Sequence, residues 1–418
     1  VNVTSALFTH LAQLDAATAQ QKSADHHELS HERADRMLAH IVWSRISEPG
    51  DGIAGTLIAA VGAHRALKLI EHTPSAKTLI TTLAEAGAEV GTRAAEDALA
   101  RWVPRLNLEA TAKDISQALA AGLRVMLPGD HCWPEGFTDL GLHAPSILWI
   151  RGDPTHLRAP SVSVVGARAA TGYGTQVTTE LVHGLVTAGL SIVSGAAYGI
   201  DAAAHRTALA AEAPTIAVLA GGADQPYPRA HESLLNRIGH TGVVCTEMAP
   251  GSAPTKWRFL QRNRLIAALS HATLVTEAGV NSGSLNTAGH AAQLGRAIGA
   301  VPGPITSAAS AGCHKLVREY DAMLVTSVRD AYELAGVNDE LDLFADSEKA
   351  AHERESSWHR RVRDALPLRG TRELADIARR AGLAPEQARG ALAELELLGR
   401  VTRQDSHGGA PPRWALNR

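Results

Sequence analysis

The chain has 418 residues, 45% of them hydrophobic and 20% charged, with a formal net charge of −3, which suits two or three globular domains with at least one large core. That balance excludes a global polycation, so a nucleic-acid partner would need a locally basic surface. With aromatics at only 4%, such a partner would be held more by charge and backbone than by many stacked rings.

Three widely spaced cysteines, Cys132, Cys245 and Cys313, form no CxxC motif, which argues against a disulfide framework or zinc site and for a reducing, cytoplasmic setting. Of the 20 histidines, His26, His27 and His31 lie in a polar segment and read as solvated; neither metal nor cofactor is expected. No basic-flanked apolar leader and no apolar run of transmembrane length is found, so no membrane role is expected.

In chain order, the first thirty residues read as a polar extension, loosely ordered or helical, and the pattern is helical from about residue 32 to 103. Breaks at Pro49-Gly50 and Gly62 separate short helices over 36–42, 53–61, 65–71 and 77–85, resembling helix-hairpin-helix or SAM-like modules; a plain docking domain fits as well. A helix over 110–121 and strands over 123–127 and 146–150 lead into a regular alternation. Strands are predicted at 161–165, 190–193, 215–219, 242–246, 273–276, 298–301 and 323–325, each followed by a turn and a helical segment. This is the pattern of a doubly wound parallel sheet, whose function lies at the carboxyl ends of its strands. Residues 336–356 form an acid-rich linker. Helices over 358–366, 371–381 and 385–398 with strands over 400–403 and 413–416 make a winged helix, with Thr371 as an expected N-cap. Its third helix carries Arg389 among Glu386, Glu394 and Glu396, a mix as suited to protein as to duplex. The domains are thus 1–105, 106–335, 336–356 and 357–418.

Several turns at one sheet edge look suited to anions. Gly166-Ala167-Arg168 supplies a fixed cation, and Thr171, Tyr173 and Gly174 open the next helix. The turn is not GxGxxG, and the second strand ends in Ser194-Gly195 without a ribose-binding acid, so a dinucleotide oxidoreductase is disfavoured. Asp201 is expected to cap the helix after SGAAYGID, and Tyr198 either stacks a base or fills a gap.

Lys256, Arg258, Arg262 and Arg264 interleave with Trp257 and Phe259, beside Asn263, just before a helix. That pattern suits a single-strand groove, and the absence of nearby carboxylates argues against a salt-bridged helix entry. Ser282, Ser284 and Thr287 form a hydroxyl-rich loop after Glu277, the best acid–base candidate; 302–303 and 312–316 add two more turns. Five such turns fit a polyanion along the rim better than one small ligand. No nucleophile–base pair stands out, so no catalytic residues are assigned.

GARAATGYG, SGAAYGID, TIAVLAGGADQPYPR, RFLQRNRLIAALS, SGSLNTA, AVPG and GCHKLV, in this order between about 128 and 326, resemble the DNA-processing protein A (DprA/Smf) family. The resemblance implies an extended Rossmann-like core that binds single-stranded DNA without catalysis. It also implies a homodimer that loads the RecA recombinase during natural transformation. By motif, Arg168 would be the central phosphate contact with Gly166, Ser194 and Gly195 around it, and Arg262 and Arg264 would extend the basic pocket. Ala169 and Pro214 stand where the family often has basic residues, lowering the expected charge. The rival reading is a nucleotide-processing hydrolase built on Glu277 and residues 282–287, although the loop lacks PGGxGT. A third is a scaffold whose winged domain recruits a partner.

Overall fold

The computed structural model describes residues 5–16, 29–337, 357–367, 370–404 and 411–417. The chain divides into two compact units, 1–337 and 338–418; the expected linker falls almost wholly outside the described residues.

The first unit opens with helices α1 (Ser5–Leu14), α2 (His31–Ile46), α3 (Gly52–Val61), α4 (Ala63–Glu71), α5 (Ala76–Glu85), α6 (Thr92–Trp102) and α7 (Leu108–Ala120). Short helices of this kind persist only when packed. Trp43 and Trp102 meet edge-on at 5.2 Å, and Asp51 caps α3 while accepting the Trp102 indole N–H at 3.0 Å. These helices share one apolar core with the sheet, including Leu127, Trp149, Ala217 and Val244. Arg33 adds a polar tie, reaching Asp15 at 2.6 Å and Asp130 at 2.8 Å.

The sheet comprises β1 (Arg124–Met126), β2 (Leu148–Gly152), β3 (Ser161–Gly166), β4 (Ser191–Ser194), β5 (Thr215–Val218), β6 (Val243–Thr246), β7 (Ala272–Glu277), β8 (Ala297–Ala300) and β9 (Met323–Leu324). Its order is β1-β2-β6-β5-β4-β3-β7-β8-β9. Strands β3 to β9 pair in parallel, and the two lead-in strands join as an antiparallel extension on β6. Burial on both faces explains their continuous β-branched runs. The connecting helices are α8 (Gly172–Thr187), α9 (Ile200–Ala210), α10 (Glu232–Thr241), α11 (Lys256–Leu269), α12 (Ser284–Gln293), α13 (Ala311–Glu319) and α14 (Val328–Ala335). From β3 the strands step one way through β4, β5 and β6, while β7, β8 and β9 step the other. The β3/β7 pair is therefore the topological switch point, where such folds open a crevice.

The second unit has helices α15 (Ser357–Ala365), α16 (Leu374–Ala381) and α17 (Pro385–Leu397) and a small sheet of β10 (Arg372–Glu373), β11 (Val401–Gln404) and β12 (Arg413–Leu416). The turn expected at Gly408-Gly409 lies outside the described residues. One detail departs from the sequence reading. Arg372 and Glu373 pair with β12, so α16 begins after them, capped by Glu373 without a side-chain bond, and Thr371 is not its cap. On α17, Arg389 pairs with Glu386 at 3.3 Å, so the helix offers little free positive charge.

No single helix among the described residues is long and apolar enough to cross a membrane.

Candidate functional site

At the switch point, β3 ends at Gly166 and its turn runs to Thr171, the N-cap of α8. The Thr171 hydroxyl accepts the Gly174 N–H at 3.1 Å and donates to Glu277 Oε1 at 2.6 Å, while its backbone N–H donates to Glu277 Oε2 at 2.8 Å. Glu277 is the buried last residue of β7. A Cβ on Gly174 would stand 2.4 Å from Glu277 Oε2, so only glycine lets the helix close over the carboxylate. The anion-favouring end of α8 thus already holds an anion, which corrects the reading of this turn as an open phosphate cradle. Both oxygens of Glu277, the acid–base candidate of the sequence, accept hydrogen bonds from Thr171.

The second turn repeats the arrangement. Gly195 and Ala197 donate their N–H groups to Asp201 Oδ2 at 3.1 and 3.3 Å. Asp201 lies inside the first turn of α9 after the N-cap Gly199, so it secures the preceding loop rather than capping the helix. Ser194 donates its buried hydroxyl to Val164 O at 2.6 Å. The two turns lock together: Ile200 N–H donates to Ala167 O at 3.1 Å, and a Cβ on Gly199 would fall 2.2 Å from that oxygen.

Helix α11 carries the cation-rich motif within its own length rather than before it. Arg262 is 5% exposed; its Nη1 donates to Gly195 O at 2.8 Å and to Val218 O. Burial lowers its pKa to about 10, with Asp201 opposing the shift. Arg264 is buried and forks onto Glu247 at 2.6 and 2.7 Å. Arg258 forks onto Glu48 at 2.9 and 3.0 Å. Carboxylates distant in sequence therefore do neutralise this helix entry, contrary to the expectation. Asn263 bridges to Asn286 Oδ1 at 3.1 Å and Gly283 O at 3.3 Å. Ser282 and Ser284 share a 2.7 Å hydroxyl contact, and Thr287 is buried.

What faces outward is a smaller set. Arg168 is exposed, has no ion pair among the described residues, and lies with its guanidinium carbon 4.9 Å from the Phe259 ring centroid. Arg262 approaches the same ring at 5.9 Å. Tyr227 stands 5.5 Å from Phe259, and Tyr198 stands 4.8 Å from His231. Tyr198, Tyr227 and Trp257 are exposed, Trp257 at 57%, and Lys256 is exposed beside it. Tyr173 donates its hydroxyl to Pro302 O at 2.5 Å. Tyr227 and His231 escaped the sequence reading because nothing local marks residues that reach the site from a different strand–helix connection.

The model of the family described as DNA recombination-mediator protein A matches residues 124–336, and that of the DprA winged helix domain matches 346–406. The putative DNA processing protein DprA of Mycobacterium tuberculosis (strain ATCC 25618 / H37Rv) is 40% identical over 388 residues, covering 90% of this chain and 93% of that protein. DNA processing protein DprA of Streptococcus pneumoniae (strain ATCC BAA-255 / R6) is 42% identical over 201 residues, covering 48% of this chain and 70% of that protein. The X-ray structure of DprA from Streptococcus pneumoniae superposes with a TM-score of 0.56 at 30% identity, covering 72% of this chain and 97% of that one.

Proposed function

The chain belongs to the DNA recombination-mediator protein A family, and on that premise we propose that it binds single-stranded DNA along the carboxyl rim of its parallel sheet. Arg168, backed by Phe259, neutralises a backbone phosphate, and Tyr227 and Tyr198 offer ring faces to unpaired bases. Lys256 adds a second cation at the start of α11, and the 282–284 hydroxyls add hydrogen bonds. Arg262, Asn263 and Arg264 act from beneath, fixing the loops that present these groups. The observation that carries this reading is the exposed Arg168 guanidinium, laid on an aromatic ring and unclaimed by any carboxylate among the described residues.

The protein acts without catalysis in this proposal, as a homodimer that delivers bound strand to the RecA recombinase in the cytoplasm. A hydrolase would need Glu277 free, and its oxygens are held at 2.6 and 2.8 Å by Thr171. Equilibrium binding to labelled oligothymidine, with duplex as competitor, tests the proposal: salt-sensitive binding that duplex displaces poorly is expected.

A further inference from the structure

The strand rim lies at the carboxyl ends of the parallel strands; a separate cavity opens at the amino ends of β3, β7 and β8. It measures about 350 Å³ and lies between residues 134–136, the turn 157–159 before β3, and residues 268–271, which join α11 to β7. Small-ligand sites commonly run from about 300 to 1,000 Å³. Strand β3, six residues long and so spanning about 20 Å, separates the cavity from Arg168. We propose that this cavity binds a small phosphate monoester with a flat apolar body, the chemistry of a nucleoside monophosphate.

Its donors converge from separate segments. His271 Nδ1 accepts the Ser161 N–H at 3.4 Å, so the proton of the neutral ring sits on Nε2, which is left for a ligand. Arg158 donates through Nη1 to His131 O at 2.9 Å and through Nη2 to Glu135 Oε1 at 2.6 Å. Its Nε has no hydrogen-bond partner among the described residues. The Glu135 side chain is 83% exposed, and an ion pair so open to water is worth little. An oxyanion that displaces Glu135 meets the Nε–Nη2 edge of the guanidinium as a fork. With His271 Nε2 the site then offers three N–H donors. That is one more than a carboxylate has oxygens, and it matches the three terminal oxygens of a phosphate monoester.

The walls suit such a guest. The carbonyl end of α11 would repel an anion, but Arg296 caps it, its Nη1 donating to Ala267 O at 2.8 Å and to Ser270 O. Only glycine at 136 lets the 134–136 segment close on that helix end, since a Cβ there would stand 2.2 Å from Ala268 O. Pro134, Leu157, Ala159 and Leu269 supply an apolar lining for a planar ring, and Glu135 is the one carboxylate among the described lining residues.

The test titrates the full chain with thymidine 5′-monophosphate, thymidine and inorganic phosphate by calorimetry, beside Arg158→Ala, Glu135→Gln and Arg168→Ala, with thermal melts confirming each fold. The monophosphate should bind the native chain, with thymidine and inorganic phosphate each about tenfold weaker. Arg158→Ala should lose about tenfold in affinity for it, and should bind oligothymidine as the native chain does. Glu135→Gln, relieved of the competing carboxylate, should gain roughly threefold, and decides alone if Arg158→Ala melts early. Arg168→Ala should bind the monophosphate as tightly as the native chain. Absence of monophosphate binding, or equal affinity in the native chain, Arg158→Ala and Glu135→Gln, overturns the proposal. A loss in Arg168→Ala in place of Arg158→Ala would move the nucleotide to the strand rim and overturns it too. Inorganic phosphate binding as tightly as the monophosphate would leave the apolar lining without a guest, again overturning the proposed class.

Discussion

The guanidinium of Arg168 lies over the ring of Phe259, 4.9 Å from its centroid. A stacked guanidinium keeps its in-plane N–H donors outward, so the ring holds Arg168 ready for a phosphate instead of leaving it to wander in solvent. Phe259→Ala should weaken oligothymidine binding severalfold, by removing the support of Arg168. Phe259→Tyr should restore most of it. Fluorescence anisotropy on the two variants checks this.

Glu48, from the N-terminal helical region, removes the charge of Arg258 from the rim by a two-pronged ion pair. Burial alone would raise the Glu48 carboxyl, yet Arg258 and Arg105 hold it below its ordinary value. Glu48→Gln should free a cation, raise affinity for oligothymidine a few-fold, and steepen its salt dependence by up to about 0.7 in slope. A salt titration of Glu48→Gln that superposes on the native curve would remove Arg258 from reach of the strand.

Glu277 is a structural acceptor. Replacing it with Ala removes the acceptor of the Thr171 N–H and hydroxyl at a part-buried helix start, at a cost of about 0.5–1.5 kcal/mol. The melting temperature should fall, and native protein incubated with nucleoside monophosphates should give no cleavage product. Product formation lost in Glu277→Gln would instead favour a hydrolase.

His205 supplies a pH signature of the core. Its Nδ1–H donates to Thr215 Oγ1 at 2.7 Å, the hydroxyl in turn donating to Ile192 O at 2.8 Å, while Nε2 is buried without a partner. Burial pushes its pKa down from 6.5 to about 3, and that of His40 to about 4. Between those values and 6.5 the unfolded chain binds more protons than the folded one, so stability rises with pH. It is fully present above about pH 6.5 and falls as pH drops toward 4. His205→Leu should flatten the fall by an amount on the order of 3 kcal/mol, read from denaturant melts across this window.

Much of the fold was legible because buried parallel strands write themselves as short β-branched runs ended by glycine turns. The run read at 273–276 is β7, Ala272–Glu277, and the run at 161–165 is β3, Ser161–Gly166. The site was less legible, and the reason is sequence separation. Arg258 finds Glu48 across 210 positions, and Thr171 finds Glu277 across 106. Turns whose amides look free in sequence are closed by the protein's own carboxylates, Glu277 and Asp201. Arg168, whose aromatic partner Phe259 is itself distant in the chain, and Lys256 kept exposed charges. At α16 the strand pairing of Arg372 and Glu373 with β12 overrode a local capping signal at Thr371.

The central claim, that Arg168 contacts the backbone of a single strand, is tested most directly by titrating labelled oligothymidine with the native chain and Arg168→Ala at several salt concentrations, with duplex of equal length as competitor. Native binding should weaken linearly in log salt and resist the duplex. Arg168→Ala should bind more weakly at every salt, with a slope shallower by about 0.7. Equal affinities and equal slopes for the two proteins would contradict the account.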